Sequence, residues 1–407
     1  MTRVEDFIIS SAIGPEGTDA QLFMRRFRED MERGLRKQHS SLAMIPAYVC
    51  CSDTTLEGRS AVAIDIGGTN LRVALVRFDS NGAAIEHFKT YPTPGTKGAL
   101  KWEEFINVIA AAVKPLTAYA DRIGICISFP ADITPERDAV IHHFTKEVKV
   151  CGFESRLVCR ELTKALGVDG IEIKAVNDTT AVLLSGLSSG KDRRGLLGFI
   201  NGTGTNICCQ VDCGKLGIGS GESMIVDVES GGFRPPDKNE IDRLLDSATI
   251  SPGVYEEEKI VSGAYLGEIC TLAFKEAARQ GVFSAESAER VLLADNITTP
   301  DMDAFAAGGA YPLFTSETDA ENARKIVEAV FKRAAKHTAL SLVSCADFAL
   351  EAKQKAIVSA DGSVFRKSAL FRASLCEYVS EYAPDRKFEF ITMDDSTLIG
   401  TAIGALI

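Results

Sequence analysis

Apolar residues in this chain gather into short unbroken runs punctuated by glycine. In Ala61-Val62-Ala63-Ile64-Asp65-Ile66-Gly67-Gly68-Thr69-Asn70-Leu71-Arg72-Val73-Ala74-Leu75-Val76 an apolar run ends in an acid, crosses a Gly-Gly turn and resumes. The pattern predicts a buried strand, a tight turn and a second strand. A simple β-hairpin accounts for this segment alone. The segment from Gly195 to Val211 again reads strand, Gly/Thr turn, strand. The tetrads Gly68-Thr69-Asn70-Leu71 and Gly204-Thr205-Asn206-Ile207 nearly match, which points to an internal duplication with two turns facing each other across a cleft. Neither turn continues as Gly-Lys-Ser/Thr, so neither is a Walker A loop. Strands follow the glycines, so neither is a dinucleotide fingerprint.

The remaining pattern alternates. Residues 1–45 read as one amphipathic helix with Leu22, Phe23, Phe27, Met31 and Leu35 on one face. Lys101 to Val113 reads as a helix. Its first residues carry the single tryptophan, Trp102, placed by its flexible flank near the cleft and expected to report closure. Strands are predicted over Ile123–Pro130 and Ile171–Val176, the latter followed by Asn177-Asp178 and a helix through Leu187. Beyond residue 195 come helices from Glu257 to Arg279, Ser284 to Leu293 and Asp319 to Ser344. Strands from Gln354 to Ala360 and Lys387 to Thr392 follow, and a helix from Thr397 closes the chain. No Gly/Ser/Pro-rich linker separates the halves, so a tight hinge is expected.

A length of 407 residues exceeds one core, which makes two domains the default. A net charge of -11 argues against nucleic acid as a partner. The 11 cysteines show no Cys-x-x-Cys pairing, and with no framework they fit reduced thiols in the cytoplasm. No run reaches the ~18 apolar residues of a membrane span, and the N-terminus lacks a basic-then-apolar leader pattern.

Several polar residues interrupt structured segments. Asp65, at a strand end, is placed to hold a hydrated Mg²⁺ against phosphate oxygens. Glycines at 67, 68 and 204 let phosphate approach backbone, so a branched residue at Gly68 or Gly204 is expected to weaken nucleotide binding. Asp178 opens a helix at a strand end, where it serves either as a general base or as part of an N-cap. Ser128, Thr145-Lys146, Glu229 and Glu256-Glu257-Glu258 supply the hydroxyls, amine and carboxylates that a polyol needs. His142-His143 reads as solvated. Five histidines without matching acids make a Ser-His-Asp hydrolase improbable.

These segments together resemble the hexokinase family, in its single-unit hexokinase/glucokinase form, within the actin-like ATPase superfold. Asp65-Ile66-Gly67-Gly68-Thr69-Asn70-Leu71-Arg72 is similar to its first phosphate loop, and Gly202-Thr203-Gly204-Thr205-Asn206 to its second. Ser128-Phe129-Pro130 with Thr145-Lys146 resembles its sugar signature, and Val176-Asn177-Asp178-Thr179 the segment of its catalytic acid. Ser251-Pro252-Gly253 through Glu268 and Asp361-Gly362-Ser363-Val364-Phe365 resemble two further blocks. Three departures stand out. Phe144 and Ser230 replace tryptophans, and Asp394-Asp395-Ser396-Thr397 replaces a glycine-rich basic turn.

The resemblance implies an α/β two-domain fold of duplicated ribonuclease H-like type with a cleft. It divides the chain into a helical segment 1–60 on the large domain, a small domain 61–177 joined by the last helix 397–407, and a large domain 178–396. It implies ATP-dependent phosphorylation of a hexose 6-hydroxyl, glucose first with mannose and fructose as alternatives, by a monomer or homodimer. Asp178 and Lys146 would be catalytic, with Asp178 the base. Ser128, Thr145, Lys146, Asn177, Asn206, Glu229 and Glu258 would bind sugar. Asp65, Gly67, Gly68, Thr69, Asn70, Arg72, Thr203, Gly204, Gly362 and Ser363 would serve Mg²⁺ and ATP. The rival reading is a sugar sensor of the same fold without turnover. A conformational ATPase leaves the sugar-type set unexplained.

Overall fold

The computed structural model describes residues 2–51, 55–144, 148–190, 193–217, 223–295 and 297–407. The N-terminal region is not one helix. It forms α1 (Arg3–Ser10), a single turn at Pro15–Gly17 and α2 (Ala20–Leu35). Pro15 lacks an N–H, and Asp19 starts a fresh helix by accepting from the Leu22 amide at 3.0 Å. Phe23, Phe27 and Met31 of α2 are fully buried, whereas Leu22 and Leu35 are only partly covered.

The first sheet has the order β5-β4-β1-β2-β3, from β1 (Ser60–Ile66), β2 (Asn70–Asp79), β3 (Gly82–Pro92), β4 (Arg122–Ile127) and β5 (Glu172–Asn177). Strands β1, β4 and β5 are parallel, with Asp65 level with Cys126 and Cys126 level with Val176. Their carboxyl ends therefore bring Asp65, Ser128 and Asn177-Asp178 to one edge, where open α/β sheets bind ligands. The unbroken apolar run of β1 is explained by its two covered faces. Val62, Ile64 and Ile66 enter the core with helix α3 (Trp102–Val113), while Ala61 and Ala63 face the opposite side. Trp102 belongs to that first core. It is 1% exposed and stacks on Phe105 at 5.7 Å, away from the cleft.

Helix α4 (Asp178–Ser185) leads into the second sheet. That sheet has β6 (Leu196–Asn201), β7 (Thr205–Asp212), β8 (Ser223–Asp227), β9 (Ala356–Asp361) and β10 (Phe388–Ile391). Its order runs from the short strand Ile45–Pro46 through β8, β7, β6 and β9 to β10. The expected helix from Glu257 to Arg279 is split. Helix α5 (Glu256–Val261) ends before Ser262, and a new helix starts at Leu266. The break frees the Gly263 amide to donate to Gly202 O at 2.7 Å, tying this segment to the second turn. The long helix α6 (Glu317–Ala349) carries the core that also holds Phe7, Phe23 and Phe27.

Helix α7 (Ser396–Leu406) closes the chain and lies against both α4 and the first sheet. Small residues make this contact possible. A Cβ at Gly124 would lie 2.1 Å from Thr401 O, and one at Gly400 would lie 1.6 Å from Ala181 O. With Ala61, Ala63 and Ala74 they line a third core between the sheets.

Candidate active site

Two cavities meet at the carboxyl edge of the first sheet. One, about 670 Å³, is lined by Asp65, Gly67, Gly68, Thr69, Asn70 and Arg72, together with Asp361, Gly362, Arg366, Asp394, Asp395 and Thr397. The other, about 550 Å³, is lined by Ser128, Asn177, Gly204, Thr205, Asn206, Asp227, Glu229 and Glu258, with Tyr255 and His142-His143 at its rim. Ser128, Asp178 and Ile200 line both. Asp178 therefore stands where the two cavities join.

The first cavity is built on a tight turn. The Gly67 amide donates to Asn70 O at 3.0 Å, and Thr93 braces it through Oγ1 to Gly67 O at 2.6 Å. Asp65 is buried and paired with Arg72, and Thr397 Oγ1 accepts from Arg72 at 3.2 Å. Burial raises the Asp65 carboxyl, an effect that Arg72 offsets. Arg366 bridges Asp361 and Asp394, each at 2.9 Å. Among the described residues no three acidic, His or Cys side chains converge closely enough to hold a bare ion. The hard oxygen donors Asp65, Asp361 and Asp395 nevertheless suit a hydrated Mg²⁺ brought in with phosphate.

The second cavity holds carboxylates crowded together. Asn206 Nδ2 donates to Glu229 Oε1 at 2.9 Å, while its Oδ1 accepts from the Ile207 and Ser230 amides at 2.7 and 3.2 Å. The Thr205 amide donates to Glu258 Oε2 at 3.1 Å. Burial, then the charges of Asp178 and Glu258, push Glu229 up to about 7. Burial also raises Glu258. Glu229 sits at φ 58°, Tyr255 at 55° and Asp395 at 50°, a left-handed backbone that non-glycine residues adopt at a cost. All three line the cavities.

Asp178 follows the true N-cap, Asn177, whose Oδ1 accepts from the Thr179 amide at 2.8 Å. The Thr179 amide and hydroxyl also bond Asp178 Oδ1, at 2.7 and 3.2 Å, and among the described residues nothing donates to its Oδ2. Asp178 is only partly shielded at the surface but lies deep between the sheets. Burial pushes it up to about 6, and Asp65 adds to the shift.

Of the residues singled out in the sequence, Thr203 and Ser363 are exposed and line neither cavity. Gly204 faces Glu258 rather than the first turn. A Cβ there would lie 2.5 Å from Glu258 Oε2. Thr145 and Lys146 lie outside the described residues. Asp227 was not anticipated. It is buried, accepts from Thr180 Oγ1 at 3.0 Å, and is raised well above the usual carboxylate range by burial and Glu229. Its sequence signal was an acid inside the apolar run Met224–Val228. Arg366 and Thr397 carried no such signal, because both reach the cavity only through long-range packing.

Comparison with known proteins covers nearly all of this architecture. Two family models, both described as hexokinase, match residues 13–187 and 196–407. Hexokinase-2 of Rattus norvegicus is 27% identical over 417 residues, taking in 93% of this chain and 45% of that protein. Hexokinase-3 of Homo sapiens is 26% identical over 412 residues, with 93% and 44% covered. The chain thus spans about half the length of the curated relatives it matches. Among solved structures, a hexokinase from Schistosoma mansoni complexed with glucose superposes with a TM-score of 0.79 at 23% identity, over 99% of this chain and 100% of that one. Another hexokinase crystal structure gives 0.83 at 21% identity, over 99% of both chains. These superpositions share the fold with its paired sheets and cleft, and the two family models lie in order along almost the whole sequence: the chain belongs to the hexokinase family.

Proposed function

We propose that this chain transfers the γ-phosphoryl group of Mg-ATP to the 6-hydroxyl of a hexose, glucose first, with mannose and fructose as alternatives. The observation that carries the reading is the place of Asp178 at the junction of the two cavities. One cavity offers backbone turns, Arg72 and hard oxygens suited to phosphate. The other offers paired carboxylates, an amide and a hydroxyl suited to a polyol.

Asp178 acts as the base. Thr179 fixes Oδ1, which leaves Oδ2 to take the hydroxyl proton as the oxygen attacks phosphorus. A value of about 6 leaves the carboxylate mostly ionised at neutral pH yet basic enough to accept a proton. Ser128, Asn177, Asn206, Glu229 and Glu258 orient the sugar, and Thr145 and Lys146 complete the set. Gly67 to Arg72 and Gly362 line the phosphate path. Asp65, Asp361 and Asp395 would hold a hydrated Mg²⁺ brought in with the nucleotide, which would supply charge neutralisation to the transferring group. Excluding water from the junction keeps it from replacing the sugar as acceptor. No helix among the described residues is long and apolar enough to cross a membrane. Cys126, Cys159, Cys208 and Cys270 are buried thiols outside any disulfide, which supports a reducing, cytoplasmic setting.

A coupled assay with glucose, mannose and fructose against ATP, ADP and pyrophosphate tests the reading. Hexose-dependent release of ADP from ATP is expected. Saturable hexose binding by calorimetry with no turnover from any donor would favour the sensor instead.

A further inference from the structure

Helix α5 carries one residue, Glu258, into the polyol-side cavity and buries its neighbours elsewhere. Six residues give too few internal hydrogen bonds to fix its direction alone. Its side chains do so. Glu256 pairs with Lys238 at 2.6 Å, and Lys259 with Asp246 at 2.5 Å and Ser251 O at 2.7 Å. Glu257 is 2% exposed, and its Oε2 meets His337 Nδ1 of α6 at 3.0 Å. The other ring nitrogen, Nε2, meets Thr18 Oγ1 at 3.0 Å, so both nitrogens are engaged whichever tautomer the ring holds. His337 is fully buried and packs edge-on against Phe23 of α2 at 5.0 Å. Arg333, Asp242 and Lys336 surround the pair. Arg333 grips Asp242 through both guanidinium nitrogens, and Lys336 donates to Pro15 O and Thr18 O at 2.8 and 2.9 Å.

Successive helix residues differ by about 100° around the axis. Locking Glu257 in one direction therefore sets the direction of Glu258. We infer that the buried relay Thr18–His337–Glu257 is a positioning device that aims Glu258 at the Thr205 amide and the bound sugar, and so makes the N-terminal segment a determinant of sugar affinity. The affinity part rests on the hexose-kinase reading. The aiming part does not.

The test uses Thr18→Val, which keeps shape and removes the hydroxyl, beside Thr18→Ser, which keeps the hydroxyl, with His337→Gln as a more severe variant. Amide exchange at Thr205 reads the Glu258 contact without any substrate. It should accelerate about tenfold in Thr18→Val, as expected for a weakened buried hydrogen bond, and stay at the parent rate in Thr18→Ser. The KM for hexose should rise about tenfold in Thr18→Val while kcat and the KM for ATP change less than twofold. Lowered melting temperature with unchanged Thr205 exchange and unchanged KM would overturn the inference. Faster exchange in a protein that phosphorylates no hexose would uphold the aiming role and overturn the hexose-kinase reading instead.

Discussion

Asn206 binds Glu229 side chain to side chain, Nδ2 to Oε1 at 2.9 Å, and thereby joins the second glycine turn to a carboxylate that comes from the far end of β8. The same amide holds the Ser230 N–H through its Oδ1. One residue thus sets both the backbone and the side chain of a left-handed segment, where the cost of φ 58° at Glu229 is offset by these bonds. The two glycine turns have similar sequences but different surroundings. The first lies beside Arg72 and Arg366, each paired with aspartates, the second beside Glu229 and Glu258. Hairpins of similar sequence here line two chemically distinct cavities.

Asp178→Asn should lower kcat by about 10² or more while hexose affinity measured without nucleotide is kept. The parent kcat should fall as pH drops through about 6, because the base must be ionised to accept the proton. Asn177, not Asp178, supplies the cap, so the variant's melting temperature should not fall. A pH–rate profile and a thermal scan of the same preparation check both points. Turnover retained per folded molecule would remove Asp178 from the chemistry.

Glu229→Gln should stabilise the protein, and more at pH 8 than at pH 5. Folded Glu229 keeps its proton up to about 7, against 4.5 for the ordinary group. Such a raised group favours folding below 4.5 and loses that contribution as pH rises through 7. Glutamine still accepts from Asn206 and never ionises, so the gain at pH 8 should be on the order of 1 kcal/mol or more. Hexose affinity should fall in the same variant. Equal melting shifts at both pH values would contradict the crowding of Glu229 by Asp178 and Glu258.

Gly204→Val should damage sugar binding first. The sequence pattern predicted a nucleotide defect, but a Cβ here lies 2.5 Å from Glu258 Oε2. Displacing that carboxylate should raise the hexose KM about tenfold or more, the scale of a lost buried hydrogen bond, with a smaller change in the KM for ATP. Gly67→Ala is the contrast. Its nearest obstacle is Asn70 O at 3.5 Å, ordinary contact, so folding should survive and any defect should appear in ATP affinity. Steady-state kinetics with each substrate varied in turn separates the two.

Much of this was legible because the informative signals were local. The β1–β2 hairpin, the β5–α4 junction at Asp178 and the second turn each lie within about twenty consecutive residues, where period and glycine placement suffice. The α/β fold class followed from them. Signals that needed distant partners were not legible. Residues 1–45 matched helical spacing, yet the first helix ends at Ser10, Ala12 turns left-handed at φ 50°, and the buried stripe is set by α6. The run Glu257–Arg279 also kept helical spacing, and its break at Gly263 exists to meet Gly202. Thr397 and Arg366 reach the first cavity from late in the chain, Thr397 from the last helix and Arg366 from the short helix Ser363–Lys367. Trp102 read as a mobile reporter because its flank is glycine-rich, but the packing of Phe105 decides its place.

Gly400→Ala should be among the most destabilising single-methyl changes in the chain. Helix α7 crosses α4 with no gap at this position. The added Cβ would lie 1.6 Å from Ala181 O and 2.9 Å from Ala181 Cα, both backbone atoms that cannot rotate away. Relief requires α7 to lift from α4. On its other side, however, α7 is pinned by Gly124, where Thr401 O already sits 2.1 Å from a would-be Cβ. Alanine's better helix propensity offers about 1 kcal/mol in return, less than the several kcal/mol typical of strong overpacking. The shift would also move Thr397, which bonds Arg72 beside Asp65 at the start of the same helix. Lower thermal stability and a raised KM for ATP are therefore expected together. Gly404→Ala offers a graded comparison, because its nearest neighbours are side chains, Val176 Cγ1 at 2.9 Å and Arg137 and Leu184 at 3.4 Å. Those can yield, so its loss should be smaller. Parent-like melting of Gly400→Ala would show that α7 is free to separate from α4, and the two sheets would then not share a rigid junction.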